Sequence, residues 1–228
     1  PVVLPIEPKG RRFRLLSADV ARHQGWLRLA AWLDKAEEEW KRRARRQQQN
    51  ALQWLDYRGK LTTQSPRARF RTIYCTSGTH LCACVVATRE VRRASFAGVR
   101  PRGFIADTTT YYFELDDEAE AHYLAAVLNS CCLDEAITDL QSRGLWGARH
   151  VHKKVLDLPV PLFDPSDRDH ARLAEIGREC AAKVRHWVRS GGPGHTKSTG
   201  LLRRRVREIL ADELRHIDLS LIHISEPT

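Results

Sequence analysis

The sequence predicts an α+β fold in which a mixed β core is bracketed by long helices. Two observations support this prediction. The middle of the chain holds short runs that are rich in β-branched and aromatic residues, and residues 108–113 are the clearest of them. The segments before and after this region carry apolar residues at helical spacing over long stretches.

The first element predicted along the chain is an irregular, basic connecting segment over residues 1–25. A single long helix follows over residues 26–57, because apolar residues such as Trp26, Leu33 and Trp40 keep helical spacing and neither Pro nor Gly interrupts them. The basic run at residues 41–46 fits either a solvated helix face or a helix that lies along phosphates.

The central elements alternate between strand and helix patterns. We predict a turn at residues 74–79, strands at 81–87 and 103–114, and helices at 116–130 and 133–140. Acidic residues open the 116–130 helix, where the helix dipole favours them. Residues 141–147 are a loop with two glycines, and 155–161 are a short strand that ends at prolines.

The C-terminal part predicts a helix over 170–188, a flexible loop over 189–200 and a basic amphipathic helix over 201–218. Residues 219–228 match the translation of a transposase-based sequencing adapter, so we leave them out of the functional argument. The chain also contains no Met and starts with Pro1. We therefore expect a fragment that is truncated at both ends.

Composition narrows the class of protein. The 228 residues include 38 Lys and Arg against 28 Asp and Glu, so the formal net charge is +10, which favours an anionic partner. The apolar content of 42% argues against global disorder. No apolar run approaches the roughly 18 residues that span a bilayer, and no signal peptide is visible. We expect a cytoplasmic protein without a membrane partner.

The six cysteines fit a reducing compartment, in which we expect them to be small core residues. The two closely spaced pairs that are typical of zinc sites are missing. A cluster of Cys75, His80, Cys82 and Cys84 is a weaker alternative, and His150 with His152 lacks a third ligand nearby. We predict no metal site.

Sequence motifs for catalysis are absent. The chain has no G-x-G-x-x-G or P-loop for phosphates, no G-x-S-x-G nucleophile motif and no H-E-x-x-H metal motif. Residues 164–167 are similar to the Asp-Pro-Pro-Tyr motif of amino-methyltransferases, but they lack the second proline and the aromatic residue. We therefore assign no catalytic and no cofactor-binding residue to this chain.

Basic and amide side chains form three clusters that point to DNA. The first cluster consists of Gln141, Arg143, Arg149, His150, His152, Lys153 and Lys154. The second consists of Lys60, Gln64, Arg67 and Arg69, and the third of Arg92, Arg93, Arg100 and Arg102. Cations neutralise phosphates and release counterions, while Arg and Gln can contact base edges. A generic solvated basic surface is the alternative for any one cluster.

Five segments resemble the C-terminal region of N6-adenine DNA methyltransferases from restriction-modification systems. They are residues 54–64, 74–79, 120–130, 144–154 and 156–164, and the resemblance spans residues 26–217. The 120–130 helix and the Leu-Pro-Val-Pro segment after it are also similar to target-recognition domains of specificity subunits. The resemblance implies that residues 26–188 are a DNA target-recognition domain, and that 1–25 lead from a catalytic domain outside this chain.

The same resemblance implies a prokaryotic protein and indicates how the parent protein works. In the family, an upstream Rossmann-like domain binds S-adenosylmethionine and carries the Asn/Asp-Pro-Pro-Tyr/Phe motif, and some members also include a nuclease. We expect the present chain to bind double-stranded DNA, to hold no S-adenosylmethionine and to be inactive alone. One alternative is a specificity subunit that directs a separate methyltransferase. Another is an RNA-binding or structural basic module, although the sequence lacks the aromatic β motifs that such modules use for base stacking.

Overall fold

The computed structural model describes residues 3–44, 49–78, 80–95, 98–107, 109–140, 152–196 and 198–225. The side chains at 138–140, 152–154 and 223–225 are excluded from this description. Helices alternate with strands of two small sheets in these ranges, so the predicted α+β class is confirmed. Every helix in the described part of the chain is too short or too polar to traverse a bilayer.

The described strands are β1 (Ile6–Lys9), β2 (Arg12–Leu15), β3 (Phe70–Cys75), β4 (Ala83–Ala87) and β5 (Thr110–Leu115). The first described helices are α1 (Ala18–His23), α2 (Leu27–Arg43), α3 (Ala51–Leu55), α4 (Thr88–Arg93) and α5 (Glu118–Asn129). The others are α6 (Cys131–Leu140), α7 (Arg168–Arg189), α8 (Thr199–Ile209) and α9 (Ala211–Ser225). Short 3-10 helices cover Tyr57–Gly59 and His152–Asp157.

The chain divides into two compact units. The first comprises Pro1–Ala68 with Val91–Thr108, and the second comprises Arg69–Glu90 with Thr109–Thr228. The boundaries between the units therefore fall within the predicted domain of residues 26–188.

The first unit begins with structure that the sequence analysis missed. Residues 1–25 were predicted to be irregular, but β1 and β2 pair as an antiparallel hairpin, in which Lys9 lies opposite Arg12. Gly10 has a φ of 64°, which fits the first central position of a two-residue type II′ turn. Ser17 then accepts a hydrogen bond from the Val20 amide and caps α1.

The predicted helix over residues 26–57 is also divided. The helix α2 ends at Arg43, and Ala44 is extended. The helix α3 starts anew at a capping box, in which Asn50 accepts from the Gln53 amide and the Gln53 side chain accepts from the Asn50 amide. Such a cap marks a true helix start, so the prediction of one continuous helix was wrong.

The second unit contains a three-stranded antiparallel sheet of order β4-β3-β5. Its central strand β3 was not predicted as a strand, and the turn predicted at 74–79 overlaps its last two residues. Two polar side chains are buried in β3: Arg71 pairs with Glu114 at 3.0 Å, and the Thr72 hydroxyl donates to the Ala121 carbonyl. The strand predicted over 103–114 starts at Thr110, and residues 103–107 are irregular.

The helix α5 packs on the sheet and also against α7, and it is buried on most sides. Asp117 caps α5 and Asp167 caps α7, and both helices were predicted from their periodicity. Gly177 permits their close approach, because a Cβ atom at this position would lie 2.3 Å from the His122 carbonyl oxygen. The buried core between these helices includes Tyr123 and Leu173.

Two further predictions in the second unit need correction. The segment 155–161 is not a strand: Val155 belongs to a 3-10 helix, and the Val160 amide donates locally to the Leu158 carbonyl. Prolines at 159 and 161 lack the amides that a sheet ladder needs. The predicted helix 201–218 is two helices, since α8 ends before Leu210 and α9 continues to Ser225, within the segment that matches the adapter.

Candidate nucleic-acid interface

The predicted contacts around residue 150 can be located only in part. Gln141, Arg143, Arg149 and His150 lie outside the described residues. His152, Lys153 and Lys154 open the 3-10 helix His152–Asp157, and their side chains are not described. All seven therefore stay predictions.

Lys60 lies in a turn that the Asp56 carboxylate holds in place. Asp56 accepts hydrogen bonds from the amides of Leu61 and Thr62, at 2.7 and 3.1 Å, and from the Thr62 hydroxyl at 2.6 Å. The chain reaches this turn through Arg58, which has a φ of 59°. Every other described residue with a positive φ is a glycine. A non-glycine residue in this conformation is strained, so local packing must hold it there.

Gln64 is a structural residue and not a DNA contact. Its side chain is fully buried, and its amide group donates to the Lys60 carbonyl and to the Ala106 carbonyl, both at 2.8 Å. Its Oε1 atom accepts from the Ala106 amide at 2.9 Å. The prediction that Gln64 contacts DNA was wrong, because both ends of the amide already serve backbone groups.

Through these hydrogen bonds, Gln64 connects the backbone segment of the second basic cluster to that of the third. It links the backbone of the Lys60 turn to residue 106, which is 42 positions away from Gln64. The segment before Ala106 carries Arg100 and Arg102, and the Arg92 guanidinium donates to the Arg102 carbonyl at 2.9 Å. Except for Arg69, which belongs to the second unit, the residues of these two clusters lie in the first unit and share a buried support.

We call six side chains of this unit the basic set. They are Lys60, Arg67, Arg92, Arg93, Arg100 and Arg102. Lys60 is half-buried and the five arginines are exposed. Within the described ranges, no member of the set forms an ion pair with a carboxylate.

Three arginines elsewhere in the protein show the contrasting arrangement. Arg42 and Arg43 at the end of α2 both pair with Glu39, and Arg215 pairs with Asp212 at 3.2 Å. The side-chain hydrogen bond from Arg42 holds the pKa of Glu39 below its ordinary value. The basic run of α2 is therefore partly neutralised by its own helix, whereas the basic set keeps its charge available to an anionic partner.

Arg69, the remaining predicted contact, belongs to the second unit. It is exposed, and its guanidinium carbon lies 5.7 Å from the centre of the Phe70 ring. A guanidinium that stacks on an aromatic face keeps its outer edge free for hydrogen bonds.

Three aromatic rings of the first unit form a row that the sequence analysis did not predict. The ring centres of Trp40 and Trp54 are 5.2 Å apart, and those of Trp54 and Tyr57 are 5.8 Å apart. The guanidinium of Arg58 lies 5.2 Å from the Tyr57 ring centre. The ring planes are tilted by 33° and 42° to one another, and Trp54 is 54% exposed, so this aromatic row presents the Trp54 ring to solvent. The spacing Trp54-x-x-Tyr57-Arg58 was the available signal.

The second unit contains a partly enclosed cavity of about 380 Å³. It lies against β4, α5, α7, α8 and the start of α9. Three of the six cysteines line it: Cys82, Cys84 and Cys180. None of the six is disulfide-bonded. Cys180 packs against the buried core that includes Tyr123 and Leu173, as predicted, whereas Cys84 and Cys132 are exposed and do not fit the prediction of core residues.

The chemistry of this cavity is apolar and cationic. Burial raises the pKa of the Cys82 thiol, and raises that of Cys180 to about 12, so both thiols are uncharged at neutral pH. In the part of the chain that the structure describes, no three or more His, Cys, Asp or Glu side chains converge as a metal site requires.

No family model matches the chain, and no curated protein matches it significantly.

Proposed function

We propose that the chain is the DNA-recognition part of a site-specific adenine-N6 DNA methyltransferase of a restriction-modification or related defence system. The resemblance of five segments to that family suggests the enzyme class. The observation that carries DNA binding is the basic set, whose six cations lack carboxylate partners within the described ranges while Gln64 ties together the segments that bear them.

Phosphate neutralisation is the main role of the basic set in this proposal. Each cation that neutralises a phosphate releases counterions, so the logarithm of the binding constant falls by about 0.9 per contact for each tenfold increase in salt. Six such contacts give a slope of about −5. Arginines can also contact guanine through two parallel hydrogen bonds, which would add a sequence preference to this phosphate binding.

The aromatic row offers a second kind of contact. Methylation of adenine requires the base to leave the duplex stack, and unstacked bases bind to exposed aromatic faces. Trp54 is the exposed tryptophan of the row, and the guanidinium of Arg58 lies over the neighbouring Tyr57 ring. We assign these residues to holding the distorted DNA. S-adenosylmethionine and the methyl-transfer step belong to a domain outside this chain in the proposal.

Binding of a mixed-sequence DNA duplex across a salt series tests the DNA-binding part of this proposal. The double variant Arg100→Gln/Arg102→Gln should lower the magnitude of the salt slope by about 2. Arg215→Gln is the matched control, because Arg215 is an exposed arginine that pairs with Asp212, and it should leave the slope unchanged. Absence of salt-sensitive binding by the folded protein would overturn the proposal. Tighter binding to single-stranded RNA than to duplex DNA would favour an RNA-binding module.

The enzyme class has a separate test. The coding sequence upstream of Pro1 should contain an in-frame Asn/Asp-Pro-Pro-Tyr/Phe motif if the parent is a methyltransferase. A full-length parent without this motif would favour a specificity subunit that directs a separate enzyme.

A further inference from the structure

We propose that the cavity of the second unit binds a small organic anion with an apolar body, of the class of medium-chain carboxylates. The volume of about 380 Å³ lies within the range of small-molecule sites. This inference goes beyond DNA recognition, and it concerns residues that the basic set does not include.

The cavity exists because small residues face it where the helices pack. Ala125 of α5 and Ala181 of α7 line it and leave space that larger side chains would fill, and Gly177 lines it at the point where the two helices are in contact. The side chains of Val206 on α8 and of Leu210, which follows α8, add further apolar lining. An apolar lining of this kind favours a hydrocarbon or aromatic group over water.

The guanidinium groups of Arg203 and Arg207 give the cavity its charge preference. These residues are four positions apart on α8, which places them on the same face of the helix, and both are half-buried. Arg203 donates to the Ser77 carbonyl at 3.4 Å, and Arg207 donates to the Cys131 sulfur at 3.3 Å. Among the described residues, neither forms an ion pair with a carboxylate.

Two carboxylates near the cavity accept backbone hydrogen bonds, Asp134 from the Leu81 amide and Asp218 from the Cys131 amide. Neither forms an ion pair with Arg203 or Arg207 among the described residues. The thiols of Cys82 and Cys180 stay protonated because burial raises their pKa. The third arginine of the lining, Arg185, pairs with Glu90 at 3.2 Å. A partly desolvated guanidinium is stabilised by a carboxylate through two charge-assisted hydrogen bonds. A ligand with one anionic group and an apolar chain therefore satisfies both parts of the cavity.

Decanoate is the probe for this site, titrated calorimetrically into the full chain below the concentration at which micelles form. We expect one molecule to bind per chain, and decyltrimethylammonium, which has the same chain length but a positive head, not to bind. Arg203→Gln/Arg207→Gln should weaken decanoate binding at least tenfold. Arg204→Gln is the matched control, since Arg204 is an exposed arginine of the same helix that does not line the cavity, and it should change the affinity less than twofold.

A second measurement reports where the probe sits. Ala181→Phe should abolish decanoate binding by filling the cavity. Equal binding of the cationic and anionic probes, or no effect of the double arginine variant, would overturn the proposal. Association with anionic phospholipid vesicles without uptake of free decanoate would also overturn it.

The outcome is distinguishable from that of the DNA experiment. Arg203→Gln/Arg207→Gln should leave the salt slope of duplex binding unchanged. If this variant instead lowers the slope and decanoate fails to bind, the two arginines serve DNA phosphates and the cavity proposal is wrong.

Discussion

Replacement of Gln64 by Leu separates a structural role of this residue from a DNA contact. Leucine has a similar size but offers no donor or acceptor. The Ala106 amide and carbonyl, which belong to a residue that is 2% exposed, would lose their partners, and so would the Lys60 carbonyl. A buried backbone group without a partner costs about 1–3 kcal/mol. Two such groups at Ala106 predict a loss of about 2–6 kcal/mol in the free energy of unfolding.

Urea unfolding measures this loss, and amide hydrogen exchange shows where it arises. The Ala106 amide should exchange faster in Gln64→Leu than in the parent chain, because Gln64 Oε1 is its acceptor. Arg67→Gln is the matched control, since this exposed side chain should change the stability by less than about 0.5 kcal/mol. Unchanged stability together with weaker DNA binding in Gln64→Leu would refute the structural assignment and restore Gln64 as a DNA contact.

Two other predictions concern the packing of α5 against α7. Gly177→Ala should lower the free energy of unfolding in urea by about 1–3 kcal/mol, because its Cβ would lie 2.3 Å from the His122 carbonyl oxygen. Gly200→Ala is the control and should leave the free energy of unfolding unchanged, because the space around its Cβ is open. Equal losses in both variants would contradict the close-approach argument. Burial holds the pKa of His122 below its ordinary value of 6.5, so the unfolded chain binds the proton more readily and stability should fall as the pH drops below 6.5. His122→Gln should flatten part of this pH dependence in thermal unfolding, and an unchanged profile would show that His122 is not its source.

The sequence was most informative where local signals and packing agree. The helices α5 and α7 combine an apolar periodicity with aspartate caps at Asp117 and Asp167, so both were predicted within a few residues. The start of α3 was missed although its signal is local. The Asn-x-x-Gln capping box from Asn50 to Gln53 outweighs the apolar spacing that seemed to continue through it.

The elements that failed depend on partners far away in sequence. The strand β3 does not show an apolar pattern, because Arg71 and Thr72 are buried through bonds to Glu114 and to the Ala121 carbonyl. Neither partner can be identified from the strand itself. The cavity could not be predicted from the sequence either, because its lining comes from five separate elements and its existence depends on how closely two helices pack.

The fate of Gln64 shows why a candidate site cannot be assigned by residue type alone. An exposed glutamine beside arginines can contact adenine, while a buried glutamine can form hydrogen bonds with backbone amide and carbonyl groups. The same side chain suits both roles. Here the amide is used by Lys60 and Ala106, so the residue acts on DNA only through the segments that it holds together. Loss of Gln64 should therefore lower the folded fraction without changing the number of phosphates that the folded protein neutralises. Loss of Arg100 or Arg102 should lower that number of phosphates and leave the folded fraction unchanged.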